Sequence, residues 1–189
     1  MTADLDDSTA LLVIDAQKGI DVPGHWGNAR NNPQAEDNIK RLLESWRSHG
    51  WPVLYSVHDS LEPQSPLKLS LPTGDIKEGL EPQAGEIVIA KSVNSAFIGT
   101  DLELQLRRRR IAKLVIVGFF TNHCVEATTR MAGNLGYETM LVSDATATYD
   151  RTGPDGRTFD ADLVHGVSLA SMHGEFAKVL STEELLRDA

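Results

Sequence analysis

Leu11-Leu-Val-Ile-Asp15 decides the fold. Four apolar residues in a row, with no polar alternation and too few for a helix, read as a strand buried on both faces. Such strands belong to parallel sheets covered by helices on either side. The same kind of run recurs at Val53-Leu-Tyr-Ser-Val57, Ile87-Val-Ile-Ala90 and Leu114-Val-Ile-Val117. Thr139-Met-Leu-Val142 and Ala177-Lys-Val-Leu180 complete a set of six candidates. Between them the apolar period lengthens. Ile39, Leu42, Leu43 and Trp46 follow the 3/4 spacing of one helix face and stop at Gly50. Thr100-x-x-Glu103 has the form of a capping box leading into Leu102 and Leu106. A third helix is expected from about Cys124, with Val125, Thr128, Met131, Ala132 and Leu135 inward, ending where Gly136 can take the left-handed conformation. Strands alternating with helices predict βαβ units and a mostly parallel sheet.

Two long irregular stretches, 17–33 and 58–85, follow the first and second strands. Both are therefore expected over the C-terminal edge of the sheet, where open α/β folds bind ligands. The ends of three strands bring chemistry to that edge: Asp15, Lys91 and, shortly after the fourth strand, Cys124. A thiol attacks as a thiolate, and its reference pKa of about 8.5 leaves little of that form at neutral pH. A helix N-terminus at Cys124 and the Lys91 ammonium are expected to lower it, and Asp15 to carry the proton.

Composition narrows the alternatives. The 189 residues, 41% hydrophobic and 24% charged, suit one folded domain spanning 1–189 with a core at about 10–185. Eighteen Lys and Arg against 27 Asp and Glu give a net charge of −9, which argues against nucleic acid and anionic membranes as partners. Arg107-Arg-Arg-Arg110 reads as the cationic end of the second helix rather than a nucleic-acid patch. A single cysteine excludes an intrachain disulfide. No run approaches the length of a membrane span, and the acidic start Met1-Thr-Ala-Asp-Leu-Asp-Asp is unlike an export signal, so a cytoplasmic location is expected.

The ordered motifs resemble those of the isochorismatase-like cysteine hydrolases, a group that includes nicotinamidases, carbamoyl-amide hydrolases, ureidoacrylate amidohydrolase and streptothricin hydrolase. They are Val13-Ile-Asp15-x-Gln17, Gly85-Glu86-x-Val88-Ile89-x-Lys91-x4-Ala96-Phe97, Gly118-x-x-Thr121-Asn122-x-Cys124-Val125-x-x-Thr128, Gly136-Tyr137 and Ser143-Asp144-Ala145. The resemblance implies an α/β, Rossmann-like, doubly wound six-stranded sheet and a catalytic triad of Asp15, Lys91 and Cys124. It also implies a cis peptide between Phe119 and Phe120 that aims the Phe120 and Cys124 amides at one point as an oxyanion hole. Amide or carbamoyl hydrolysis through a thioester is the expected activity. Vinyl ether hydrolysis using Asp15 without the thiol, or ligand binding without catalysis, are the alternatives.

His58, Phe97, Phe119, Asn122 and Trp26 are candidates for substrate contact. Each has an ordinary alternative: core packing for the aromatics, a loop hydrogen bond for His58, and a helix cap for Asn122. The resemblance gives metal-containing nicotinamidases an Asp-x-His after the second strand and a further His; this chain has His58-Asp59-Ser60 and no histidine until His123, so no metal and no cofactor are expected. The small-molecule substrate is the expected partner, together with further copies of the chain as a homodimer or homotetramer. Val164, Val167, Leu169, Met172 and Phe176 form an apolar stripe wide enough for core and subunit contact.

Overall fold

The structure, a computed structural model, describes residues 5–187. Residues 1–4, part of the acidic start read against an export signal, and 188–189 lie outside it. All six expected strands form: β1 (Thr9–Ile14), β2 (Val53–His58), β3 (Ile87–Lys91), β4 (Lys113–Phe119), β5 (Glu138–Ala147) and, after a short antiparallel pair β6 (Arg151–Thr152) and β7 (Thr158–Phe159), β8 (Lys178–Leu180). Their order is β3-β2-β1-β4-β5-β8, every neighbouring pair parallel. The chain therefore winds outward from β1 in one direction and from β4 in the other. The switch between β1 and β4 sets the ends of both strands beside a crevice.

Side-chain alternation splits the core into two layers. Leu11, Val13, Val115 and Val117 point to one face, under α1 (Ala35–His49) and α5 (Thr182–Leu186). Ala10, Leu12, Ile14, Leu114 and Ile116 point to the other, under α2 (Leu102–Arg108), α3 (Glu126–Asn134) and α4 (Ala161–Met172). Each fully buried Leu or Ile is worth about 1.5–3 kcal/mol of transfer free energy. α1 buries Ile39, Leu42, Leu43 and Trp46 as expected, and Gly50 ends it at φ +69°.

β1 and β4 approach so closely at Gly118 that a Cβ there would lie 2.0 Å from the Ile14 carbonyl oxygen. Only glycine fits, and its φ of +115° suits no other residue. The register shift between Ile116 and Gly118 in the β4–β5 pairing follows at that point.

One local expectation is corrected. The N-cap of α2 is Asp101, so no capping box forms from Thr100; its hydroxyl donates instead to the Ala96 carbonyl, and Glu103 pairs with Arg107. The buried residues of α4 are Ala161, His165, Ser168 and Met172. Val167, from the expected stripe, and Leu163 beside it are exposed. Met172 and Leu169 of the stripe reach the core, and polar pairs lie beside them: His165 Nδ1 meets the Thr121 hydroxyl at 2.9 Å, and Ser168 bonds Glu126. No helix among the described residues is long and apolar enough to cross a membrane.

Candidate active site

Asp15 follows the last residue of β1 and adopts a left-handed φ of +49°. Its amide donates to the Ser56 carbonyl at 2.9 Å, and its Oδ1 accepts from the Ser56 hydroxyl at 2.9 Å. Lys91, the last residue of β3, donates from Nζ to Asp15 Oδ2 at 2.6 Å, with both side chains almost wholly buried. Lys91 Nζ also lies 2.8 Å from His58 Nδ1 at the end of β2. A donating ammonium requires Nδ1 to accept, which assigns the ring proton to Nε2. Burial first, and then Lys91, hold the His58 pKa below its ordinary value, so the ring is neutral.

Gln17 locks these strand ends together. Its amide nitrogen donates to the His58 and Gly74 carbonyls at 3.0 and 2.9 Å, and its oxygen accepts from the His58 amide at 2.7 Å. Every hydrogen-bonding direction of the buried side chain but one is thus used to position β2 and the following loop.

Cys124 arrives from the other side of the switch point. The Phe119–Phe120 peptide is cis, and Thr121–Val125 form a π-helical turn that runs into α3. Cys124 is thus in the opening turn of a helix, as expected. Its Sγ is 4.0 Å from His58 Nδ1 and 3.9 Å from Asn94 Oδ1. The expectation of a depressed thiol pKa is corrected. Burial pushes the Cys124 thiol up and Asp15 adds to the rise, against an opposing pull from Lys91. Burial, with Asp15 beside it, outweighs the pull of Lys91, so the resting group is a protonated thiol.

These groups form the floor of a cavity of about 580 Å³ between the two long loops. Asp15, His58, Phe119, Phe120, Trp26 and Cys124 all line it. Lys91 lies beneath, in contact through Asp15 and His58. Two candidates are elsewhere. Phe97 stacks on Tyr137 with ring centroids 6.0 Å apart, in the core layer under α2 and α3. Asn122 lies outside the cavity and caps no helix; its Oδ1 accepts from the Thr148 hydroxyl at 2.6 Å. Trp26 is fixed by its indole N–H, which donates to the Gly19 carbonyl at 2.8 Å, and packs on Phe120. His25, His123 and Asn94 also reach the cavity. Loop packing brings His25 and Asn94 there, and His123 arrives on the turn that carries Cys124, at an unspecified position of its motif.

Asp15, His58 and Cys124 offer donor atoms within 4.8 Å of one another, a spacing that suits a metal ion. Lys91 Nζ already bonds two of the three, so a cation would have to displace an ammonium from between them. The arrangement sets a thiol near a carboxylate that a buried cation holds in place, groups of the kind that acyl transfer uses.

Comparison with known proteins agrees with the geometry. An isochorismatase family protein of Bacillus subtilis, YrdC, is 44% identical over 184 residues, covering 97% of this chain and 97% of that one. The ureidoacrylate amidohydrolase RutB of Agrobacterium fabrum is 32% identical and covers 78% of each chain. The crystal structure of a hydrolase of the isochorismatase family from Chromobacterium violaceum superposes with a TM-score of 0.93 at 44% identity, over 100% of this chain and 98% of that one. The family model of the isochorismatase domain matches residues 9–184, so the chain belongs to the isochorismatase family of hydrolases.

Proposed function

We propose that this hydrolase cleaves a small non-peptide amide or carbamoyl C–N bond through a thioester on Cys124. The observation that carries the reading is the thiol set on the buried Asp15–Lys91 pair at the floor of the cavity. The ureidoacrylate amidohydrolase among the relatives supports the same bond class.

In this reading Asp15 removes the thiol proton as Cys124 Sγ bonds the substrate carbonyl carbon. The backbone N–H groups of Phe120 and Cys124 hold the resulting oxyanion. Asp15 then returns the proton to the departing amine, the C–N bond breaks and an acyl thioester remains. Water, losing a proton to Asp15, adds to that carbonyl; the thioester breaks to release the acid and the proton returns to sulfur. Lys91 keeps Asp15 oriented and compensates the thiolate as it forms. The raised resting thiol pKa fits a proton transfer that accompanies attack, since a free thiolate facing Asp15 would be repelled.

An ammonia-release screen over primary amides, carbamoyl amines and ureido acids tests this. Wild-type protein should turn over at least one class, and Cys124→Ala should lose about 10³-fold or more. A Cys124→Ala variant that keeps wild-type turnover, or that still cleaves a vinyl ether while no amide reacts, would overturn the thioester route.

A further inference from the structure

The Cys124 sulfur has a neighbour that the Asp15–Lys91 pair does not account for. Asn94 Oδ1 lies 3.9 Å from Sγ, in range of the thiol proton. His58 Nδ1, at 4.0 Å, is already committed, because its single in-plane lone pair accepts from Lys91. The Asp15 oxygens accept from Ser56 and Lys91, and each keeps a further lone pair. The resting thiol thus faces two acceptors: a carboxylate that can take its proton and a neutral carboxamide that can only hold it.

Asn94 stands in the segment that leads from β3 toward α2. That segment is tied to the helix that follows the thiol: Ser95 and Ala96 are buried, and the Ala96 amide donates to the Thr128 hydroxyl of α3 at 3.0 Å. The backbone beside Asn94 is therefore fixed relative to Cys124, while the Asn94 side chain is exposed and lines the cavity. Its Nδ2 has no partner among the described residues. A carbonyl carbon poised for attack stands about 3–3.5 Å from its nucleophile. The oxygen and nitrogen on that carbon then come within hydrogen-bond reach of a group held 3.9 Å from the same sulfur. In the proposed route the oxygen goes to the Phe120 and Cys124 amides, which leaves the nitrogen for Asn94.

We propose that Asn94 recognises the departing amino group through Oδ1, which accepts one of its N–H bonds and so selects a primary amide or carbamoyl –NH₂ over an ester of the same acid. The inference rests on the amidase reading and names what that site tells apart. Oδ1 exchanges one partner for another: the thiol proton leaves it for Asp15 as Cys124 Sγ bonds the carbonyl carbon, and the substrate N–H takes its place. Held by that N–H, the nitrogen turns its lone pair toward the proton that Asp15 returns. An ester brings an oxygen lone pair against Oδ1 in place of a donor, so the contact is lost and replaced by repulsion. Asn94 touches the reacting groups and exchanges no proton with them.

The test is the ratio of kcat/KM for a primary amide turned over in the screen to that for the methyl ester of the same acid, in wild type, Asn94→Ala and Asn94→Asp. A ratio cancels any general loss of packing or of active protein. Asn94→Ala should cut the amide-to-ester ratio by about tenfold or more, the effect of one lost hydrogen bond made to the reacting group. Asn94→Asp keeps an oxygen that accepts the N–H and adds a charge that opposes the thiolate, so both substrates should slow while the ratio stays within about threefold of wild type. Equal loss on amide and ester in Asn94→Ala, or no loss on either, overturns the assignment of Asn94 and leaves the amidase reading standing. A ratio that falls as far in Asn94→Asp as in Asn94→Ala also overturns it, since the acceptor is then not what selects. Wild-type protein that cleaves esters and no amide overturns the amidase reading and the inference with it.

Discussion

Two groups of charges lie near Phe119, and they differ in how fully they satisfy one another. In the first, Arg30 grips Glu36 with two nitrogens at 2.6 and 2.8 Å, and Lys77 bonds both Glu36 and Asp21. Two cations meet two carboxylates, Arg30 and Lys77 both lie over the Phe119 ring, and the network ties 17–33 to the loop after β2. In the second, the buried Asp15–Lys91 pair faces a neutral His58 and a protonated thiol. The first is closed on itself and holds loops. The second is left open toward Cys124 and the cavity that Asp15 and His58 line. Buried charge is chemically useful where its pairing is left open toward a reactive atom.

Mutations should separate the two groups. The largest effect falls on the second: Asp15→Asn should reduce amide turnover by about 10³-fold or more with the fold retained, as checked by kcat/KM and circular dichroism. Arg30→Met in the first group should leave kcat within about tenfold of wild type while lowering the thermal midpoint. Equal loss of activity in both would erase the distinction.

Next comes Lys91→Met. Removing the cation leaves Asp15 buried without its partner, so stability should fall by about 3–5 kcal/mol in urea titration, in addition to the loss of activity. A variant as stable as wild type would show that Asp15 does not depend on Lys91.

Glu36→Gln is expected to be milder, about 1–3 kcal/mol, because charge-assisted hydrogen bonds from Arg30 and Lys77 are weakened rather than a core opened. Its pH dependence carries the sign. Burial pushes the Glu36 carboxyl up, but Arg30 and Lys77 outweigh burial and hold the net pKa below 4.5. The stabilisation is therefore complete above about 4.5 and is lost as pH falls through the lower folded value. The stability gap between wild type and Glu36→Gln should shrink as pH falls below about 4.5, and a constant gap would contradict the network.

The smallest effect concerns His58. With its pKa held down, the pH profile of kcat/KM should show no acid limb near 6.5, and a limb there that vanishes in His58→Gln would show the ring to be charged in the working range.

Much of this contrast could be read before the structure. The apolar runs ending in Asp15 and Lys91 mark buried strands, and parallel strands bring such ends together whatever the loops do. Cys124 needed the motif around it, since a lone cysteine is more often a packed core residue. What could not be read depends on distance across the chain. The thiol pKa turns first on the burial of Cys124 and then on Asp15 outweighing Lys91, which local sequence does not encode. The buried residues of α4 include His165 and Ser168 because Thr121 and Glu126 meet them there, a pairing invisible to hydrophobic period. His25 reaches the cavity on the first long loop and Asn94 on the segment after β3, stretches set by tertiary packing.

The account stands most directly on the covalent intermediate. Intact-mass measurement of wild-type protein, acid-quenched during turnover of an amide found in the screen, should show the acyl group added to Cys124 with loss of ammonia. The adduct should be removed by hydroxylamine and be absent in Cys124→Ala. Steady turnover of that amide with no adduct in wild type, and with the rate unchanged in Cys124→Ala, would contradict the claim that the thiol is the nucleophile.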